Sequence, residues 1–270
     1  MMTFRLVSPR LRCENRAQMH SPQRKSLLTL VFVTLLLLAP RASAQDGNVQ
    51  LESESTRIDR ILRQMSDFLT SAQSFGFTAH DLIDEVEEGR RIQYSNSRSV
   101  VVRRPNRVAG EAYGDLVNRS FWYDGESFTM LDGEFNTYFQ VPAPDNIDAL
   151  LDEIAERLEI IVPLSDMLSE NVYQVLTQQI RQASYLGLHQ VRGIECHHLF
   201  FTQEDLDWQL WVEASSTPVP RKLVIVYKQE PGIPQYSAVI SEWDFTVATP
   251  DELFEFSRPE GAQQIDLTVP

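Results

Sequence analysis

Arg119-Ser120-Phe121-Trp122-Tyr123-Asp124-Gly125-Glu126-Ser127-Phe128-Thr129-Met130-Leu131-Asp132-Gly133-Glu134-Phe135-Asn136-Thr137-Tyr138-Phe139-Gln140-Val141 is three short apolar runs separated by two Asp-Gly pairs. Aromatic and β-branched side chains suit a pleated surface, and Asp-Gly supplies the positive φ that tight hairpins need. The stretch predicts strands over residues 119–123, 127–131 and 137–141, joined consecutively as an antiparallel meander.

Upstream, Phe75, Phe77 and Ala79 alternate with Gly76, Thr78 and His80, Glu87-Glu88-Gly89 makes a turn, and extended runs follow at 92–95, 99–103 and 107–113. Downstream, the period of two returns at 183–191, 194–202, 207–212, 221–228 and 235–246. Turns this frequent leave no room for the helical crossovers that parallel strands require. Two segments have a helical period instead. Over residues 53–74, Ile58, Ile61, Leu62, Met65, Phe68, Leu69 and Ala72 form one stripe, with Thr56 and Asp59 spaced as a capping pair. Over residues 146–181, Ile147, Leu150, Leu151, Ile154 and Leu158 form another, closed by Pro163 and followed by short helices at 164–168 and 172–180. Helix, six strands, helical insertion and five strands make one α+β domain. Val100-Val101-Val102, Phe121-Trp122-Tyr123 and Leu223-Val224-Ile225-Val226-Tyr227 are apolar on both strand faces, so both faces of the sheet should be covered.

The N-terminal residues have a different purpose. Arg24 and Lys25 precede an apolar run over 27–39, and Ala42-Ser43-Ala44 follows it, the layout of an export signal cleaved after Ala44. The run is shorter than the roughly 20 apolar residues of a membrane span, so no stable span is expected. Residues 1–18 are polar and arginine-rich, and a start at Met19 fits the signal better. The expected division is a signal peptide over 1–44 and a single domain over 45–270.

Residues 45–270 hold 17 of the 24 basic and 37 of the 38 acidic side chains, a net charge of −20. Such a chain lacks the basic footprint that nucleic acid requires, so no nucleic-acid partner is expected. Of two cysteines, Cys13 falls in the signal, leaving Cys196 without an internal disulfide partner.

Cys196-His197-His198 is the richest group of ligand-type side chains. An Arg192-Gly193 turn would pair His189 with Cys196, placing His189, Cys196 and His198 on one face and His197 on the other. Three such groups could hold zinc or copper, but a fourth ligand is not evident, and the neighbours look like core. There is no Gly-x-Ser-x-Gly elbow, no His-Glu-x-x-His helix and no glycine-rich phosphate loop. Carboxylate pairs such as Asp84/Glu85 and Asp205/Asp207 are what an acidic chain produces by chance. No enzyme activity, catalytic residue, metal ligand or cofactor is expected.

Arg104-Pro105-Asn106-Arg107, Phe121-Trp122-Tyr123-Asp124-Gly125 and Asn136-Thr137-Tyr138 resemble signatures of the LolA/LolB-like superfamily, periplasmic carriers and receptors for lipoproteins in Gram-negative bacteria. Pro144-Asp145-Asn146-Ile147-Asp148, Tyr185-Leu186-Gly187-Leu188, Cys196-His197-His198, Asp207-Trp208-Gln209-Leu210-Trp211, Pro220-Arg221-Lys222-Leu223-Val224 and Ser241-Glu242-Trp243 narrow the resemblance to one branch. That branch is the predicted periplasmic proteins of domain-of-unknown-function family 2092, and the likeness runs over about residues 50–270. It implies an antiparallel sheet of about 11 strands curled into an incomplete half β-barrel, with the N-terminal helix and the insertion covering its concave face. It implies a periplasmic location, and a helical lid over about 146–181. The carriers keep one arginine in the cavity for the lipid, a role that the resemblance assigns to none of Arg103, Arg104 and Arg107.

Function follows less directly, since a fold hosts many functions. The leading expectation is a non-catalytic binding protein that holds a lipid, an acyl chain or a lipidated peptide between sheet and helices. Phe77, Ala79, Phe121, Tyr123, Leu151, Ile154 and Trp211 are the candidate ligand-binding residues. The alternative is an envelope sensor that binds a protein partner, and a third reading is a metal- or redox-active protein built on Cys196 and its histidines.

Overall fold

The computed structural model describes residues 52–157 and 162–266. Helix α1 (Glu54–Ser71) starts at Ser53, whose Oγ accepts a hydrogen bond from the Thr56 amide at 3.2 Å. The cap is thus Ser53 rather than the expected Thr56, because Asp59 turns its carboxylate to Arg63 at 2.8 Å and to the Tyr173 hydroxyl. The predicted stripe is the buried one: Ile58, Ile61, Leu62, Met65 and Leu69 all lie inside.

Eleven antiparallel strands follow from the hairpin and meander signals. They are β1 (Ser74–Glu87), β2 (Arg90–Arg103), β3 (Arg107–Gly114), β4 (Asn118–Tyr123), β5 (Ser127–Asp132) and β6 (Thr137–Pro142), then β7 (Gln182–Val191), β8 (Ile194–Thr202), β9 (Leu206–Glu213), β10 (Pro220–Tyr227) and β11 (Gln235–Asp244). Between the two runs lie α2 (Ile147–Arg157), a 3-10 turn (Ser165–Met167) and α3 (Val172–Thr177). One sheet takes all the strands in the order β12-β6-β5-β4-β3-β2-β1-β11-β10-β9-β8-β7, so β1 joins the two meanders by pairing with β11. The twelfth strand, β12 (Gln263–Gln264), adds parallel to β6; two glutamines show no periodicity, so the expected eleven becomes twelve.

The sheet stays open, and both edges are protected as exposed strands require. β12 covers the β6 edge. At the other edge, Glu54 of α1 accepts the outward amide of Tyr185 on β7 at 2.7 Å, and Arg57 lies over the Tyr185 ring.

Alternation sends Phe75, Phe77 and Ala79 of β1 to the face that α1, α2 and α3 cover, where they join one core. Val100, Val102, Tyr123, Phe128, Phe139, Leu199, Phe201, Trp208 and Leu210 reach it from other strands, and Ile147, Leu150, Leu151, Ile154 and Leu176 from the helices. The opposite face is covered in part. Phe256 packs on Trp122 and Tyr138 there, with ring centroids 5.2 and 4.7 Å apart, and a smaller cluster of Val191, Cys196, Trp211 and Val224 forms beside β8. The expected export signal, the Met19 start, the cleavage after Ala44 and the end of the α2 stripe at Leu158 lie outside the described residues.

Inside the helix-covered face sits one ion pair. Arg98, across from Ala79 on β2, donates to both Asp81 carboxylate oxygens at 2.8 Å, with both residues buried. Burial is the largest single influence and works against the charged guanidinium, yet the Asp81 hydrogen bonds together with the electrostatic pull of Tyr236 and Asp81 outweigh it and hold Arg98 above its ordinary pKa. The Tyr236 phenol beside them has no hydrogen-bond partner, and burial keeps it protonated.

Candidate functional site: a cleft between two helices and the sheet

α1 and α3 do not close completely over β7 and β8. The gap is a cleft of about 570 Å³, within the range of small-ligand pockets. Its walls are Ile58 and Leu62 of α1, Ile180 after α3, Ala183 of β7 and Phe201 of β8. Glu54, Asp59, Tyr173 and Thr177 stand at the rim. Ile58, Leu62 and Phe201 also belong to the main core, so the apolar floor of the cleft runs into the interior of the fold.

The segment roofing this region is held by a few polar ties. The Tyr173 amide donates to Ser66 Oγ at 3.0 Å, and the Tyr173 hydroxyl donates to Asp59, fastening α3 to α1. Arg63 lies 4.0 Å above the Tyr173 ring and bonds the same carboxylate. Arg63 first, and then Tyr173, hold Asp59 below the usual carboxylate range. Farther along, Arg104 Nη1 and Nη2 donate to the carbonyls of Leu168 and Ser169 at 2.9 and 3.2 Å. The Ile147 amide donates to Pro105 O at 3.0 Å, anchoring the start of α2 beside β2. Arg103 instead bonds Thr249 O and Asp251, and Arg107 bonds Asn106, so neither reaches the core.

Of the candidate ligand-binding residues, Phe77, Ala79, Tyr123, Leu151 and Ile154 converge in the main core, and Phe121 packs against it. Each is in contact with other side chains rather than lining the open cleft. Trp211 stands apart: alternation from Leu210 turns it to the opposite face, with Val191, Cys196 and Val224. The cleft residues Ile58 and Leu62 were visible in the sequence only as members of the α1 stripe. Nothing local distinguishes them from Ile61 or Met65.

The Cys-His group is arranged as the hairpin register predicts, with His189 opposite Cys196. Its chemistry is different from a metal centre. His189 Nδ1 and His198 Nδ1 are 2.9 Å apart, and His198 Nε2 is 3.0 Å from Gln209 Oε1. The Cys196 thiol donates to Ile194 O at 3.4 Å, and burial pushes it up to about 11, which keeps it unreactive. His197 points away, to the Tyr185 hydroxyl at 3.0 Å. Among the described residues, no three His, Cys, Asp or Glu side chains are placed to share a metal ion. No helix among them is long and apolar enough to cross a membrane.

The profile of a family described as predicted periplasmic protein (DUF2092) matches residues 59–268. No curated protein matches the chain. Among solved structures, the chain is similar to LprF from Mycobacterium bovis at 16% identity, over 73% of this chain and 98% of that one, with a TM-score of 0.46. It is similar to the lipoprotein LppX of Mycobacterium tuberculosis at 14% identity, over 71% and 97%, with a TM-score of 0.46. A LolA superfamily protein from Nitrosomonas europaea overlaps at 11% identity, over 73% and 96%, with a TM-score of 0.37.

Proposed function

The chain belongs to the DUF2092 family of predicted periplasmic proteins, and from that premise we propose that it is a non-catalytic binding protein for a lipid acyl chain, free or on a lipidated peptide. The observation that carries this reading is the cleft between α1, α3 and β8. It is apolar at its floor, sized for a ligand, and rimmed by polar side chains. An acyl chain that enters there packs on Ile58, Leu62 and Phe201, and each methylene it buries contributes about 0.8 kcal/mol. Deeper entry requires the α3 segment to lift, which the Asp59–Tyr173 and Ser66–Tyr173 bonds resist and the Arg104 contacts limit. The carboxylates of Glu54 and Asp59 at the mouth disfavour an anionic head group there and leave the ligand's polar end in water.

The test is uptake of a fluorescent fatty acid. Ala183 is an exposed residue on the cleft wall, so Ala183→Trp fills the space without disturbing the core. The expected result is at least a tenfold loss of affinity with an unchanged unfolding midpoint, tenfold corresponding to about 1.4 kcal/mol. Equal uptake by both proteins would place the ligand elsewhere. A second reading, an envelope protein partner, draws on Leu186 and Leu188, which are 45% and 48% exposed on the edge strand β7. Crosslinking at those two positions in cells would capture such a partner.

A further inference from the structure

On the face of the sheet away from the helices, the end of the β7–β8 hairpin and strands β8–β11 enclose a hollow of about 470 Å³. It is bordered by His189, Arg192, His198, Trp211, Lys222 and Val239. Its charge is anomalous for this chain. Residues 45–270 carry a net charge of −20, and twelve of their 17 basic side chains are in ion pairs. Three more, Arg104, Arg107 and Arg258, donate to carbonyl or amide oxygens. Among the described residues, that leaves only Arg192 and Lys222 with no carboxylate or hydrogen-bond acceptor, and both border this one hollow. With 37 acidic side chains available, two cations without a carboxylate on the lining of one hollow mark a place where a negative group is supplied from outside.

The histidines add to the site in a defined way. A carbonyl oxygen only accepts, so the Gln209 contact places the His198 proton on Nε2. His198 Nδ1 must then accept, and His189 donates from Nδ1. Burial lowers the His198 pKa, the Gln209 bond opposes it, and His189 and Lys222 add smaller lowering effects. Trp211 is stacked on His198 at 3.8 Å and carries Lys222 at 4.7 Å from its ring centre, which fixes the ammonium at the edge of the hollow. The remaining groups from neighbouring elements are already committed. Glu213 is paired with Arg221, Cys196 is an uncharged thiol, and His80, beyond Val239 on β1, bonds Ser97 Oγ at 2.8 Å.

We propose that this hollow binds a phosphate-type oxyanion, held by Arg192 and Lys222. The same chemistry is offered by free phosphate or by a phosphorylated lipid head group. The site lies on the face opposite the acyl-chain cleft, so it stands or falls independently of that reading.

The experiment is calorimetric titration of the protein with sodium sulfate, whose charge does not change with pH in the range used. Arg192→Gln and Lys222→Gln replace solvent-side groups that make no hydrogen bond within the fold, and unchanged circular dichroism verifies that both remain folded. Sulfate should bind the parent protein and lose about tenfold or more in each variant, as for a charge-assisted hydrogen bond. Titration with dihexanoyl phosphatidic acid then separates the sources: affinity well above that for inorganic phosphate, lost in the same variants, assigns a lipid head group, and equal affinity assigns the free ion. Absence of sulfate binding, or binding unaltered by both substitutions, would overturn the proposal.

Discussion

The Asp59 carboxylate is the smallest part of the account with a function of its own, because it joins Arg63 of its own helix to Tyr173 of the roof. Those bonds lower its pKa in the folded protein. The stability they contribute is therefore fully present above the unfolded value, about 4, and is lost as pH falls through the lower folded value. Acidification across that window should raise amide exchange in α3, and Tyr173→Phe should raise exchange at neutral pH while removing the acid response. The other decisive residue is Arg98. Removing its guanidinium by Arg98→Met would strand Asp81, which is 1% exposed, as a lone buried charge. The expected cost in chemical denaturation is about 3–5 kcal/mol, and the double replacement of Asp81 and Arg98 by apolar residues should recover most of it. Neither residue announced its role in the sequence. Asp81 fits the alternation of β1 as though it were apolar, and only the register across β2 shows that a cation meets it.

The elements were legible wherever one physical signal dominated. The three-four-seven stripe of α1 and the Asp-Gly turns of β4, β5 and β6 fixed those elements because burial and turn geometry act locally. β8 runs over the expected residues, Ile194–Thr202, because its own alternation after the Arg192-Gly193 turn buries Cys196 and His198 on one face and Leu199 and Phe201 on the other. β12 was invisible, since its pairing with β6 is a tertiary event between two-residue segments. The cleft was illegible for a related reason. Ile58 and Leu62 look like core and are buried, and the gap beside them is set by where α3 sits, which no local pattern encodes. Of the candidate residues on strands, Phe77, Ala79, Phe121 and Tyr123 lie on the helix-covered face in packed positions, and Trp211 lies on the other face. α2 is the element whose disruption should be most informative, since Ile147, Leu150, Leu151 and Ile154 are all buried against the sheet. Ile154→Ala should cost about 2–5 kcal/mol by leaving a void beneath the helix, and exchange in residues 147–157 should rise first if α2 opens as a lid.

At the scale of the molecule, the open twelve-stranded sheet keeps two faces with different chemistry. One buries an apolar core beneath three helices and admits a cleft at their margin. The other is covered by the C-terminal segment beside β4 and β6, and beside β8 to β10 it carries a small cluster of the strands' own side chains and the hollow that Arg192 and Lys222 border. A periplasmic protein of this family with a net charge of −20 over residues 45–270 should remain dispersed and avoid anionic surfaces, except through that local basic hollow. The central claim, that the helix-covered face accommodates an acyl chain, is most directly tested by native mass spectrometry of the protein purified from periplasm without detergent. The account predicts an added mass that matches a lipid or fatty acid and disappears on organic extraction. A bare polypeptide mass before extraction, from cells in which the protein is functional, would contradict it.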